Sequence, residues 1–176
     1  MSDRVSEMVL LCEDDPQEQL VRRYLERCGL RTFAPTLRVR NASREVHGGN
    51  VGWVLMEFPK EMDACRKRHA AHAKTRLIVV VDADQNTVAD RRTQLQTNAG
   101  DPVVTLIPKR HIETWVRSCL GEPVNEIDSY KNPAPRKAEI KSAADQIHGW
   151  ARGVPAPGPT CVDSLRASLS AFRTLG

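Results

Sequence analysis

Between Leu77 and Val81 the chain carries five consecutive apolar residues, LIVVV, four of them β-branched. Such a run suits a strand buried on both faces, which requires a sheet covered by helices on either side. The run breaks at once into Asp82-Ala83-Asp84, with Asn86 and Thr87 following as turn and helix-start residues. Side chains two apart on a strand point the same way, so both carboxylates are expected to project together from the sheet's C-terminal edge. Two carboxylates that close repel unless something positive lies between them, and a divalent cation with oxygen preference supplies it. The alternative is that both aspartates are solvated, one of them capping the next helix. For an isolated DxD the two readings stand level, since strand-end acids are common in α/β folds.

The flanking chain repeats the strand-then-helix pattern. Met8 to Cys12 (MVLLC) reads as a first buried strand, followed by Glu13-Asp14-Asp15. Asp15 is the expected N-cap of a helix with Pro16 in its first turn and Glu18 completing a capping box. Leu20, Val21, Tyr24, Leu25 and Cys28 form its apolar stripe, and Gly29 ends it. Thr36 to Val39 fits a second strand, and the polar, glycine-containing stretch from Asn41 to Asn50 a connection. Val51 to Met56 begins an apolar stretch, with Pro59 opening or kinking a helix that runs towards Ala73. After the DAD turn, Thr87 is expected to cap a helix reaching about Thr97, with Arg91 and Arg92 nearer solvent. Val103 to Ile107 (VVTLI) is another buried strand. Ile112, Trp115, Val116, Cys119 and Leu120 then mark an amphipathic helix that Gly121 stops.

Beyond residue 121 the character changes. An irregular stretch containing Tyr130-Lys131 leads to a helix from about Arg136 to Ala151. The proline-rich GVPAPGP segment separates it from a short last helix carrying Val162, Leu165, Leu169 and Phe172. The pattern therefore predicts an α/β fold with a mainly parallel central sheet flanked by helices, Rossmann-like, over residues 1–131. Residues 132–176 form a helical C-terminal extension packing on the same domain.

The formal charge of +4 suits an anionic partner without requiring one. Arg66, Lys67, Arg68 and Lys74 run together with His69 and His72, either as a solvated helix face or as part of a nucleic-acid groove. No apolar stretch approaches the length of a membrane span, and the polar MSDRVSE start lacks a signal-peptide layout. The five cysteines are widely spaced without a zinc pattern and read as reduced thiols, so the expectation is a cytoplasmic protein away from membranes.

Three polar clusters fall just after expected strands: Glu13/Asp14/Asp15, Asp82/Asp84 and Lys109/Arg110/Glu113. Parallel sheets bind ligands at that edge, so the convergence points there more strongly than any one motif. Glu113 has an alternative as an exposed helix residue paired with Arg110 or Arg117. Trp115, on the stripe with Ile112 and Cys119, reads as core.

Two family resemblances arise from these residues. The opening VLLCEDDPQEQLVRRYLERCGL resembles a response-regulator receiver domain, in which acids after the first strand bind magnesium and a lysine follows a later strand, here Lys109. A receiver also needs a phospho-accepting aspartate ending its third strand. The counterpart read here is Glu57 in LMEFP, and Asp82 and Asp84 stand where receivers have Thr or Ser. That reading leaves a non-catalytic signalling or interaction module.

The glutamate after the first strand followed by a later DxD resembles Toprim domains. The set CED, VVVDAD, PKRHIETW and a later Tyr-Lys is similar to small stand-alone Toprim-like proteins of OLD and defence-associated type, across about Val9 to Lys131. One departure is Asp14, where the family usually has glycine. The resemblance implies a metal-dependent nuclease hydrolysing phosphodiester bonds in DNA or RNA as part of a bacterial anti-phage system. Asp82 and Asp84 would hold Mg²⁺ or Mn²⁺, and Glu13 would be a ligand or general base. Asp14 and Glu113 would be further ligands, and Lys109 and Arg110 would grip the scissile phosphate. It also implies an ATPase or other defence protein as partner, with oligomerisation open.

Overall fold

The computed structural model describes residues 7–47, 50–71 and 74–176. These residues form strands β1 (Glu7–Cys12), β2 (Leu37–Asn41), β3 (Thr75–Val80) and β4 (Val103–Leu106), all parallel, in the order β2-β1-β3-β4. Helices α1 (Asp15–Arg27), α2 (Ala42–Glu45), α3 (Val51–Ala70), α4 (Val88–Leu95), α5 (Ile112–Cys119), α6 (Lys137–Ala151) and α7 (Asp163–Arg173) surround the sheet.

Strand alternation divides the apolar side chains between two cores. Met8, Leu10, Ile78 and Val80 face one side with Leu20, Tyr24, Trp115, Ile147 and Phe172, which come from α1, α5, α6 and α7. Val9, Leu11, Leu77, Val79 and Val81 face the other with Trp53, Val54, Phe58 and Met62 from α3 and Leu95 from α4. The continuous LIVVV run is thus explained: each residue has a helix layer to bury against. The C-terminal helices share the first core. Tyr24 stacks on Phe172 with ring centroids 4.8 Å apart, and its hydroxyl donates to the Phe172 carbonyl at 2.8 Å.

The longest helix departs from the sequence reading. Helix α3 starts at Val51, capped by Asn50, whose side chain accepts the Trp53 N–H at 2.8 Å, and continues through Pro59 to Ala70. Trp53, Val54, Phe58, Met62 and Cys65 form one buried helical stripe, and that burial outweighs the ladder bond Pro59 cannot donate. Ala73, the expected end, lies outside the described residues. Glu57 consequently sits inside a helix, not at a strand end, and pairs with Lys60 at 2.7 Å and Arg40 at 3.3 Å.

The basic run also resolves. Arg66 pairs with Asp101, Arg68 with Glu7 and Lys67 with Asp63. Glu7 opens β1 and Asp101 precedes β4, so Arg66 and Arg68 serve the edge opposite Asp82; His72 lies outside the described residues. Among the described residues no helix is long and apolar enough to cross a membrane.

Candidate functional site

The chain leaves β1 for β2 on one side and returns as β3 on the other, so the strand order reverses between β1 and β3. In open parallel sheets the crevice beyond that point is where ligands bind. Glu13 and Asp14 enter it from β1 and Asp82 from β3.

The sheet's own hydrogen bonding brings two of these acids together. Past Val80 the β3 backbone still pairs with the β4 segment, Val81 N–H donating to the Leu106 carbonyl at 3.2 Å and Ala83 N–H to that of Pro108 at 2.8 Å. Alternation turns the intervening Asp82 N–H towards β1, and there the Glu13 Oε1 accepts it at 2.6 Å. Gln17 completes the junction. Its Nε2 donates to Asp82 Oδ1 at 3.0 Å and to Glu13 Oε1 at 3.4 Å, while its Oε1 accepts the Glu13 N–H at 2.8 Å.

The cap of α1 lies one residue earlier than the sequence reading placed it. Asp14, not Asp15, is the N-cap, its Oδ1 accepting Gln17 N–H at 3.0 Å. This shift puts a neutral amide at the third helical position, where it bridges Glu13 and Asp82. Glu18, displaced from that position, pairs with Arg22 and Arg44.

Asp82 and Asp84 do not share surroundings. Asp82 is 2% exposed, whereas the Asp84 side chain is 47% exposed and pairs with Arg110. The two-residue alternation fails because Asp84, just past the last paired residue Ala83, turns the chain with φ +54°. Glu113 is buried, and neither proposed partner meets it: Arg110 holds Asp84 and Arg117 holds Glu122. The Glu113 Oε2 is buried with no hydrogen-bond partner.

Four further residues shape the site without a strong local signal. His111 occupies the N-cap position of α5 without making a capping hydrogen bond, and its Nδ1 stands 3.4 Å from Asp82 Oδ2. Arg91, expected near solvent, is 4% exposed and donates from Nε to the Asp82 carbonyl at 3.0 Å and from Nη2 to the Ala83 carbonyl at 3.2 Å. It pins the DAD backbone from beneath. Gln17 bridges the two strands, as described. Lys131 lowers the electrostatic cost of ionising Asp14, Asp82 and Glu113. Lys109 leans on the same turn: its Nζ donates to the Asn86 carbonyl at 2.7 Å. Its backbone N–H donates to Ser164 Oγ at 3.2 Å, which also accepts the buried Trp115 Nε1–H at 2.8 Å.

Burial and crowding raise these acids together. Glu13 is pushed up to about 8, first by burial and then by Asp82. Asp82 is held well above the usual carboxylate range by burial, then by Asp14 and Glu113. Burial likewise raises Asp14 and Glu113 and depresses His111. Glu13, Asp82 and Glu113 thus each become harder to ionise through another acid of this edge, while Asp84 stays half-exposed on Arg110.

The atoms gathered here, carboxylate oxygens with little bulk water and one buried oxygen lacking a partner, are of the type a hard divalent cation takes. Among the described residues, however, no three His, Cys, Asp or Glu side chains are arranged to hold an ion as they stand. Glu13 and Asp82 are engaged by the Asp82 N–H and by Gln17, so a ligand shell requires side-chain rotation. No protein-family model, curated protein or solved structure matches the chain.

Proposed function

We propose that this edge binds Mg²⁺ or Mn²⁺ and that the protein is a metal-dependent nuclease acting on DNA or RNA. The observation that carries the reading is the junction of Glu13 with Asp82, 2.6 Å from carboxylate to backbone nitrogen, together with the buried, partnerless Glu113 Oε2. A cation there would supply charge neutralisation at a phosphate oxygen and a more acidic water. Asp82 and Glu113 would hold it, with Glu13 released from the Asp82 N–H as a further ligand or a proton acceptor, and Asp14 adding a more exposed oxygen. Asp84 would join from the rim only after parting from Arg110. Lys109 and Arg110 flank the acids and would meet the anionic backbone of the substrate. The order of these segments, similar to that of Toprim-like defence proteins, supports a role in anti-phage defence beside an ATPase or other protein partner, in the cytoplasm.

The test is cleavage of labelled DNA and RNA with each ion, alone and with the partner. Asp82→Ala abolishes cleavage while leaving the fold intact. Undiminished cleavage by that variant overturns the proposal.

One observation favours a second reading, a receiver-like interaction module without catalysis. Asp82, not Glu57, follows the strand that pairs with β1, whose own end carries Glu13 and Asp14. The 2% exposure of Asp82 leaves little access for modification, which suits a module without catalysis. In that case no nucleic acid is cut with either ion, and pull-down recovers a specific protein partner.

A further inference from the structure

We propose that the opposite edge of the sheet carries a second site, a cavity that binds the phosphate group of a small phosphate monoester. It uses none of the acids that follow β1 and β3, and it stands whether or not their edge binds a cation.

The end of α3, the start of β3 and the turn before β4 border a cavity of about 420 Å³. That volume falls within the roughly 300–1,000 Å³ of small-molecule sites. The lining is chiefly basic, with His69 from α3 and Lys74 and Arg76 around the start of β3. Asp101, the one acid among the described lining residues, is held by Arg66, whose Nε and Nη2 donate to its two oxygens at 2.8 and 2.7 Å. That ion pair cancels the acid within the wall. Arg76 gives one N–H to the Thr174 carbonyl, a neutral acceptor, so that bond leaves the guanidinium charge in place.

An independent observation comes from the same wall. Thr75, which also lines the cavity, is 2% exposed, and its hydroxyl oxygen is buried with no hydrogen-bond partner. A buried hydroxyl left so is costly, and a phosphate oxygen would answer it. Guanidinium, ammonium, imidazole and hydroxyl around one cavity suit the three terminal oxygens of a monoester better than the two of a carboxylate. The neighbouring cations favour a compact ligand over a nucleic-acid strand. A strand needs a track of charge along the surface, and Arg66, Lys67 and Arg68 are each paired with an acid, Asp101, Asp63 and Glu7.

Calorimetric titration of the full chain in EDTA tests this, with adenosine monophosphate, inorganic phosphate, adenosine and a single-stranded oligonucleotide lacking terminal phosphates as probes. The monophosphate and inorganic phosphate bind, and both shift the amide resonances of Thr75, Arg76 and Gly100 in ¹⁵N-labelled protein. Arg76→Gln loses about tenfold in affinity for the monophosphate, as removal of a charge-assisted hydrogen bond implies. The resonance shifts of the wild type decide the matter even if the variant fails to fold. Adenosine binding as tightly as its monophosphate, or undiminished affinity in a folded Arg76→Gln, overturns the assignment. So does binding of the oligonucleotide alone, or of none of the four.

Discussion

Glu13 accepts the Asp82 N–H at 2.6 Å, so the side chain of one acid is fastened to the backbone of another. The bond compels proximity that the two charges resist. Gln17, donating to both carboxylates, is the neutral bridge that makes the arrangement tenable without a cation.

The metal-free protein should therefore lose stability as pH rises. Glu13 has an ordinary value near 4.5 and is raised to about 8 in the folded chain. Across that window the folded chain keeps a proton that the unfolded chain has released, so stability falls with rising pH and levels off above it. The slope is at most about 1.4 kcal/mol per pH unit for this group. Urea unfolding across the window measures it. Glu13→Gln makes the slope shallower; an identical slope in the variant would show that Glu13 is not the source.

Asp82 and Asp84 should behave differently when replaced. Asp82→Asn removes a buried anionic oxygen from the centre of the cluster and lowers Mn²⁺ affinity by tenfold or more, on the order expected for a ligand-set change. Asp84→Gly relieves the positive φ and loses a half-exposed ion pair, two effects of about 1 kcal/mol or less and opposite sign. Its stability stays within about 1 kcal/mol of the wild type. Calorimetric titration and denaturant unfolding of both variants separate centre from rim.

Arg91 should matter to stability more than a surface arginine. Arg91→Met leaves the Asp82 and Ala83 carbonyls without their donor and costs about 2–4 kcal/mol in denaturant unfolding. Arg91→Lys, lacking the planar fork, recovers only part of the loss. A cost below about 0.5 kcal/mol for the Met variant would mean that the DAD turn holds itself.

Phe172→Ala should cost about 3–5 kcal/mol, because its ring is packed on Tyr24 and Trp115 with centroids 4.8 and 6.0 Å away. Thermal and denaturant unfolding check this. A loss near zero would show α7 to be dispensable to the core.

Much of the architecture was legible because burial on two faces imposes a simple pattern. LIVVV, rich in β-branched residues, and MVLLC, closed at once by an acidic turn, read as interior strands, and Thr87 and Gly121 marked helix ends by local chemistry. The stretch from Val51 to Met56 was read only as apolar, because a short apolar run fits strand or helix until its partners are known. Glu13 and Asp82 were legible as strand-end acids. Gln17, Arg91 and His111 were not, since each owes its role to a neighbour far along the chain. Asp84 misled for a related reason: the alternation rule holds only while the strand lasts.

The pairing of β1 with β3 has a kinetic consequence. Glu13 and Asp82 are 69 residues apart in sequence, and the intervening β2, α2 and α3 must be accommodated before their strands can meet. Closing so long a loop is slow, and it brings together two carboxyl groups that repel once both are ionised. Protons in mild acid ease that approach in the metal-free chain, so the pairing of β1 with β3 inherits the pH dependence of the two acids.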